Sequence, residues 1–276
     1  LVMPELPEVE TVGRALAAVL VGRVIESVTL CRDRLREPLD SLRDPRLPGR
    51  RVKTVRRRGR YLIVELDGAL ALLIHLGMTG VLKVLPADAP RAPHEHILFD
   101  IGRDETLRFE CTRRFSLVKL VELPAPGGMP EALGLLGPEP LTEAFSADYF
   151  RERARGRRTA VKNFLMDNRI VTGVGNIYAT EALFEAGISP LRPAEKVRKP
   201  EAVRLVAAVK RILDRSIAAG GTTFSDFRRL DGSTGHYALE LAIYGRKGRP
   251  CPRCGGMLHA VMLGGRTSVY CPHCQR

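Results

Sequence analysis

The alternation of hydrophobic and polar positions predicts a leading helix followed by a run of strands. Over residues 7–22 apolar side chains recur at helical spacing, with Pro7 suited to the first turn and Gly22 suited to end the helix. Short β-rich segments separated by turns then predict strands at 23–30, 61–66, 69–76, 81–85, 96–101, 106–110 and 116–121. Strands at this spacing, with no helices between them, predict an antiparallel sandwich or barrel.

The period of the pattern changes after a proline- and glycine-rich stretch that begins at Leu123. Beyond this stretch, helices are predicted at 142–153, 159–168, 176–186 and 201–219. The chain is therefore expected to be an α+β multidomain protein, with a β-rich N-terminal part and a helical C-terminal part.

Four of the six cysteines lie close together at the C-terminus, in two C-x-x-C pairs formed by Cys251, Cys254, Cys271 and Cys274. Each C-x-x-C turn directs two thiolates at one point, and two such turns complete the tetrahedron that Zn²⁺ prefers. We predict one structural Zn²⁺, because a site closed by four cysteines has no open position for a substrate.

The chain has 44 lysines and arginines against 31 acidic residues, a net charge of +13. An excess of this size, mostly arginine, indicates an acidic polymer such as nucleic acid as the partner. Basic clusters occur at 56–60 and 151–158, and each is either a solvated face or a phosphate contact. Because no apolar run reaches about 18 residues and no signal-peptide pattern is present, we expect a soluble intracellular protein without a membrane partner.

The N-terminal stretch Met3-Pro4-Glu5 is a candidate catalytic centre. If Pro4 were the first residue, its secondary amine would titrate near the α-amino range and would be a nucleophile for an aldehyde or a sugar acetal carbon. Glu5 could transfer protons at the same centre. The alternative is that Pro4 opens a helix and the glutamates cap it. The nucleophile hypothesis further requires that Leu1, Val2 and Met3 be absent.

Several other residues are candidates for contact with nucleic acid. Asn176 follows a glycine-rich turn and is a helix N-cap, a phosphate ligand, or both. Arg266 is predicted at the tip of a hairpin turn that begins at Gly264-Gly265, where it contacts nucleic acid or is simply solvated. Phe115 directly follows Arg113-Arg114 and is either an aromatic wedge or a strand residue entering the core.

Two further motifs complete the candidates. Met78 follows Gly77 in a predicted turn, and we treat it as a second candidate wedge. The run His94-Glu95-His96 superficially resembles a metal pair, but no third ligand is obvious, so a phosphate contact by one histidine is favoured.

The whole chain resembles the bacterial formamidopyrimidine-DNA glycosylases, which excise oxidised purines such as 8-oxoguanine and formamidopyrimidines. The resemblance rests on motifs in the family order: Met3-Pro-Glu-Leu-Pro-Glu-Val-Glu-Thr11, Ile74-His-Leu-Gly-Met78, Arg113-Arg-Phe115, Leu165-Met-Asp-Asn168, Gly173-Val-Gly-Asn-Ile-Tyr178, Gly220-Gly-Thr-Thr223, Tyr244-Gly-Arg-Lys-Gly248 and the four clustered cysteines.

The resemblance implies three domains with DNA as the partner. We expect an N-terminal catalytic β-sandwich at 1–123, a linker at 124–140, a helix–two-turn–helix domain at 141–240 and a zinc finger at 241–276. It also implies a bifunctional DNA glycosylase and AP lyase that acts through β,δ-elimination on damaged double-stranded DNA. A monomer in the bacterial cytoplasm, associated with the nucleoid, fits this activity.

The resemblance further implies roles for individual residues. The catalytic residues are Pro4 as Schiff-base nucleophile, Glu5 as acid and base, Arg60 at a position the family gives to lysine, and Arg266 as proton donor. Met78, Arg113 and Phe115 match residues that fill the void left by the everted base. His94, Arg113, Arg157, Lys162 and Asn176 match DNA contacts, and residues 222–236 match a segment that covers the lesion.

This sequence departs from the family at two places. Arg60 can hold a phosphate but cannot be deprotonated, so any proton transfer by the family lysine is lost here. The family's Asp-Pro before the arginine wedge is Cys111-Thr112 in this chain. If Pro4 is not terminal, the alternative is a DNA-binding damage sensor without catalysis.

Overall fold

The computed structural model describes residues 3–221 and 241–276, which fall into two compact units. Unit 1 comprises Leu1–Gly134 and Gly220–His236, and unit 2 comprises Leu135–Ala219 and Tyr237–Arg276. The segment 222–236, expected to cover the lesion, lies outside the described residues. None of the described helices combines the length and the apolar character that crossing a membrane requires.

Unit 1 is a sandwich of two antiparallel sheets with one helix. Its elements are α1 (Leu6–Leu20), β1 (Val24–Ile25), β2 (Ser27–Leu30), β3 (Arg50–Arg58), β4 (Tyr61–Leu66), β5 (Leu70–His75), β6 (Gly80–Pro86), β7 (Glu95–Asp100), β8 (Glu105–Cys111) and β9 (Leu117–Glu122). One sheet has the order β1-β3-β4-β5-β9 and the other β2-β7-β8-β6. Apolar residues of α1 and of both sheets share one buried cluster, which confirms the predicted sandwich.

The strands differ from the prediction by more than a residue at their ends in two places. The segment predicted as one strand at 23–30 is interrupted at Glu26, and its halves belong to different sheets. The arginine-rich segment Arg50–Arg58 was not predicted as a strand, yet it is the longest strand described. Its charges are neutralised locally, because Arg57 Nε lies 2.7 Å from Glu10 of α1 and Arg56 Nη2 lies 3.1 Å from Glu65 of β4.

A glycine on α1 allows the helix to lie close to the sheet. A β-carbon at Gly13 would come within 2.9 Å of Leu62 Cδ2 on β4. Directly beyond β3, the two-residue turn Gly59-Arg60 joins β3 to β4, with Gly59 at φ +57° as tight hairpin turns require. This turn fixes the backbone position of Arg60.

Unit 2 consists of helices and one hairpin. Its elements are α2 (Ala147–Ala154), α3 (Val161–Leu165), α4 (Asn176–Ala186), α5 (Lys199–Ala218), β10 (His259–Leu263) and β11 (Arg266–Tyr270). The predicted bounds of α4 are confirmed, whereas α2 begins five residues later than 142 because Ser146 caps it by accepting the Tyr149 N–H at 3.1 Å.

The hairpin and the cysteines pack against α4. Phe184 of α4 shares a buried cluster with Ile243, Leu258 and Val269. The carboxylate of Glu181, also on α4, accepts three backbone N–H groups, from Ala242, Ile243 and Tyr244, at 2.7–2.9 Å. The start of the C-terminal segment is therefore anchored on the helix by a side chain that is itself buried.

Candidate functional site

Pro4 and Glu5 lie buried at the N-terminus of α1. Glu5 is the N-cap residue and is 2% exposed. Its backbone N–H donates to Glu8 Oε2 at 2.9 Å, the return bond of a capping box. The helix N-terminus carries a partial positive charge that favours anionic groups at this place. The capping and the catalytic interpretations of the motif are therefore compatible in one structure.

Two further groups of unit 1 border this helix terminus. Arg60 Nη1 lies 3.5 Å from Met3 Sδ, so the β3–β4 turn brings a permanent positive charge next to the N-terminal residues. Gly221 has φ +84°, and a β-carbon there would lie 3.3 Å from Glu8 Cγ. The Gly-Gly motif that precedes residues 222–236 is thus a close approach of backbone to the candidate site.

His75 lies at the end of β5. Its ring centre is 4.8 Å from that of Tyr61 with the two planes tilted by 57°, and its Nδ1 accepts the Gly77 N–H at 3.0 Å. Burial, followed by the positive charges of Arg60 and Arg36, lowers the pKa of His75 from 6.5 to about 4. The imidazole is therefore neutral at neutral pH and fixes the turn that carries Met78.

The candidate wedge residues lie on two adjoining loops of unit 1. A β-carbon at Gly77 would be 2.8 Å from the backbone carbon of Phe115, and the Arg113 N–H donates to Thr79 Oγ1 at 3.1 Å. Phe115 is 52% exposed, with the Arg113 guanidinium 5.3 Å from its ring centre. The interpretation of Phe115 as a strand residue in the core is wrong, since this aromatic ring faces solvent.

His94 is an exposed residue with φ +70°, immediately before β7. The neighbouring Glu95 does not serve as a metal ligand beside His94, because its carboxylate is buried and lies 3.3 Å from Arg108 Nη1. His96 is buried and its Nε2 donates to Cys111 O at 2.8 Å.

In unit 2, Lys162 and Asn176 form one polar cluster with the hairpin. The buried Lys162 ammonium donates to Asn176 Oδ1 and, at 2.5 Å, to Ser268 Oγ of β11. Asn176 Nδ2 donates to Thr267 O at 3.3 Å. Asn176 is the first residue of α4 and Gly175 is the N-cap, so the N-cap interpretation of Asn176 is wrong.

The remaining basic candidates of unit 2 are exposed. Arg266 opens β11 directly after the Gly264-Gly265 turn, rather than lying within the turn as predicted. A β-carbon at Gly264 would be 3.1 Å from Asn163 Oδ1, which shows how closely the turn approaches α3. Arg157 lines a cleft of about 230 Å³ together with Arg153 and Thr159.

The four clustered cysteines bring their sulfur atoms to one place. All four Sγ atoms lie within 4.8 Å of one another, and the pairs Cys251–Cys274 and Cys254–Cys271 are 3.9 and 3.6 Å apart. A tetrahedron of zinc–sulfur bonds has edges of about 3.8 Å. The cluster therefore has the donor atoms and the approximate size that Zn²⁺ requires.

Sequence reasoning proposed Pro4, Glu5 and the cysteines, and its alternative interpretation of the glutamates as helix caps is confirmed for Glu8 in the capping box. It missed several residues that support the candidate sites. His75, Arg108 and Ser268 carry no local signal, since their roles depend on partners distant in the sequence.

Family models match three segments of the chain. The N-terminal domain of formamidopyrimidine-DNA glycosylase matches residues 3–118, and the H2TH domain of the same enzymes matches 136–228. A zinc finger found in these glycosylases and in isoleucyl-tRNA synthetase matches 248–276. The sandwich, the helical domain and the cysteine cluster together define the class of this enzyme, which is a DNA glycosylase with a zinc finger.

Relatives and solved structures agree over the whole chain, which belongs to the formamidopyrimidine-DNA glycosylase family. The glycosylases of Stenotrophomonas maltophilia and Acidithiobacillus ferrooxidans are 49% and 46% identical, each covering 99% of this chain and 100% of the relative. A crystal structure from Thermus thermophilus matches at TM-score 0.87 and 38% identity, covering 99% of this chain and 98% of that one. A Lactococcus lactis variant bound to Fapy-dG DNA matches at 0.87 and 32%, covering 99% and 100%.

One structural Zn²⁺ follows from the cysteine geometry and the zinc-finger match. The four thiolates hold it, and it supplies no reactive position because all four ligand positions are protein sulfur.

Proposed function

We propose that the chain is a bifunctional DNA glycosylase and AP lyase that removes oxidised purines from double-stranded DNA. The observation that carries this proposal is the buried Pro4-Glu5 pair at the N-terminus of α1. It requires a Pro4 with a free amine, in a chain from which the three preceding residues are absent. Burial and the positive helix terminus both favour the neutral, nucleophilic amine.

In the first step the lone pair of the Pro4 nitrogen forms a bond to C1′ of the damaged nucleotide. The C1′–N bond to the base breaks, and the departing base takes up the proton that the Pro4 nitrogen loses, which restores the lone pair on that nitrogen. Glu5 then gives a proton to O4′ as the C1′–O4′ bond opens, which leaves an iminium between Pro4 and C1′.

The iminium makes strand cleavage possible. It acidifies the C2′ proton, whose loss expels the 3′ phosphate as the C3′–O bond breaks. A second proton loss at C4′ expels the 5′ phosphate, and water releases Pro4. By the family resemblance, Arg266 occupies the proton-donor position of these eliminations. Because an arginine keeps its proton, its guanidinium acts there by donating a hydrogen bond to the departing phosphate.

Several observations support DNA as the partner. Related structures are described as complexes with DNA containing Fapy-dG or an abasic site. This chain has a net charge of +13 and an exposed aromatic residue beside Arg113. Contacts by His94, Arg157 and Asn176 belong to the same proposal. Lys162, predicted as a further contact, is 0% exposed and supports Asn176 from behind.

The wider organisation is part of the proposal as well. We propose a catalytic domain at 1–123, a linker at 124–140, a DNA-binding helical domain at 141–240 and a zinc finger at 241–276, in a monomer that works in the cytoplasm at the nucleoid.

Borohydride trapping on a duplex that contains 8-oxoguanine tests the chemistry, with the intact mass measured on the same preparation. If the chain begins at Pro4, reduction of the iminium should give a covalent protein–DNA adduct. Pro4→Gly should lose most of the trapping, because the amine is no longer the secondary amine of proline.

Pro7→Ala is the matched control, since Pro7 is a buried proline in the first turn of the same helix but has no amine role. Full trapping by Pro4→Gly would refute the nucleophile. Absence of an adduct in a preparation that still carries Leu1 would instead support the DNA-binding damage sensor.

A further inference from the structure

The zinc site is built from two turns, the first knuckle (residues 251–254) and the second knuckle (residues 271–274). In both turns, the N–H of the residue that follows the knuckle donates to the carbonyl of its first cysteine. The distances are 2.9 Å from Gly255 N and 3.0 Å from Gln275 N. The two knuckles thus share one closing bond and can be compared residue by residue.

The knuckles differ in the group that accepts the N–H of the first cysteine. The Cys251 N–H donates to the backbone carbonyl of Gly256 at 2.7 Å. The Cys271 N–H donates instead to the side chain of Gln275, whose Oε1 lies 2.8 Å away. A side-chain amide therefore takes the place of a backbone carbonyl in the second knuckle.

The side chain of Gln275 also reaches the residues that follow α4. Its Nε2 donates to Ile188 O at 2.9 Å, and the two residues are 3% and 0% exposed. Next to this bond, the Arg276 N–H donates to Gly187 O at 3.2 Å and the Ser189 N–H donates to Arg276 O at 3.1 Å. One buried amide group therefore joins the second knuckle to the end of α4.

The first knuckle contacts the same end of α4 through Arg253. Its guanidinium lies 4.7 Å from the centre of the Phe184 ring, and its Nη2 donates to Glu185 O at 3.3 Å. The C-cap of α4 is Gly187 at φ +72°, and a β-carbon there would lie 3.3 Å from Cys274 O. Both knuckles are thus packed against the last turn of the helix.

We propose that Gln275 is a positioning residue that determines how tightly the protein holds zinc, because it fixes Cys271 and docks the second knuckle on α4. Hydrogen bonds around a metal site orient the ligands, and their loss lowers metal affinity by about 10–100-fold. A neutral amide suits this place, since one end accepts an N–H while the other donates to a carbonyl. Zinc held by four thiolates carries a net negative charge, so a carboxylate at position 275 would be repelled.

The position of the hairpin depends on the same contact. β11 begins at Arg266 and ends at Tyr270, directly before Cys271. A second knuckle that is docked on α4 therefore holds one end of the strand that carries Arg266. Gln275 thus positions this strand as well as the metal ligand.

The zinc affinity of Gln275→Met tests this role, because methionine is a flexible side chain of similar size that makes neither hydrogen bond. Zinc is removed from the full chain by competition with a chelator at neutral pH and is followed with a metallochromic indicator. The variant should bind zinc about 10–100-fold more weakly than the wild type. An affinity equal to that of the wild type would overturn the proposal.

Arg276→Met is the matched control at the neighbouring residue. Its side chain is exposed, and the bonds to Gly187 and Ser189 use only its backbone, so its zinc affinity should equal that of the wild type.

Leu213→Ala is the control for a general loss of stability, because Leu213 is buried in α5 and its truncation leaves a cavity. It should lower the urea midpoint of unfolding without changing the zinc affinity. An equal fall in zinc affinity in this variant would assign the effect to overall stability and contradict the proposal.

Amide hydrogen exchange, resolved by residue in the zinc-bound protein, follows the two bonds of Gln275 separately. In Gln275→Met the Cys271 N–H loses its acceptor and should exchange faster, whereas the Cys251 N–H keeps Gly256 O and should be unchanged. The Ser189 N–H should also exchange faster, because the docking on α4 is weakened. Wild-type protection of both Cys271 and Ser189 would overturn the positioning role.

Gln275→Glu keeps an acceptor for the Cys271 N–H but removes the donor to Ile188 O. It therefore tests the docking bond alone, and it also serves if the methionine variant does not fold. The Cys271 N–H should stay protected while the Ser189 N–H exchanges faster, and wild-type protection of both would refute the docking on α4. None of these measurements involves DNA, so their outcome is independent of the chemistry proposed at Pro4.

Discussion

His75 ends β5 directly before the turn that carries Met78, and its buried imidazole must be neutral to accept the Gly77 N–H. Its pKa is about 4 in the folded protein against 6.5 when unfolded. The unfolded chain therefore binds this proton first as the pH falls. The stability contribution is complete above pH 6.5 and is lost as the pH falls towards 4.

From this shift in the pKa of His75, we expect the free energy of unfolding to be lower by about 2 kcal/mol at pH 5 than at neutral pH. Urea denaturation at the two pH values measures it. His75→Asn is the matched variant, because the asparagine oxygen can still accept the Gly77 N–H but does not titrate. It should reduce the difference between the two pH values, and an undiminished difference would assign the pH dependence to other groups.

At the level of residues, the sequence indicated chemistry wherever a rare residue type occurs in a short, fixed spacing. Pro4-Glu5 and the two C-x-x-C pairs meet that condition. His75 and Arg108 do not, because the first acts as a buried acceptor for the Gly77 N–H and the second through a buried ion pair with Glu95. Neither property is visible without the packed structure.

Elements with alternating apolar residues were predicted closely, and elements rich in charge were not. The strand Tyr61–Leu66 and the helix Asn176–Ala186 have their predicted bounds. The strand Arg50–Arg58 was missed, because its arginines resemble a solvated basic run until Glu10 and Glu65 are seen beside them. Charge pairing across elements cannot be derived from local periodicity.

Arg108 on β8 connects several elements of unit 1 from a buried position. Its guanidinium lies 3.3 Å from Glu95 on β7, and it donates to backbone carbonyls of the loop that follows β6. Arg108→Met should lower the unfolding free energy by about 3–5 kcal/mol, because it leaves a buried carboxylate without its counter-charge. Urea denaturation at neutral pH measures this loss.

The double variant Arg108→Met/Glu95→Gln should recover part of that stability, since no buried charge remains. Lys83→Ala is the control, because Lys83 pairs with Arg108 in strand register but forms only a half-exposed ion pair with Glu110. Its cost should stay within about 1 kcal/mol. A double variant that is as unstable as Arg108→Met would show that the lost carbonyl contacts, rather than the charge, carry the effect.

At the scale of the whole molecule, the zinc site is the part of the fold that depends on a bound ion. The cysteine pairs frame the hairpin β10–β11, and β11 supplies Ser268 and Thr267 to the cluster around Lys162 and Asn176. Loss of Zn²⁺ removes the four bonds that fix this frame. The positions of Arg266, Lys162 and Asn176 then become unsupported together.

Removal of zinc by a chelator, verified by metal analysis, should therefore weaken binding to damaged and undamaged duplexes by a similar factor. The expected factor is similar because the contacts proposed for this cluster are with phosphates, which every duplex carries. Fluorescence anisotropy with both duplexes measures it. Ser268→Ala, which keeps the zinc but removes one partner of Lys162, should give a smaller loss in the same direction. Unchanged affinity of the metal-free protein would contradict a DNA-binding role for the finger, whereas a loss confined to the damaged duplex would place the finger at the lesion itself.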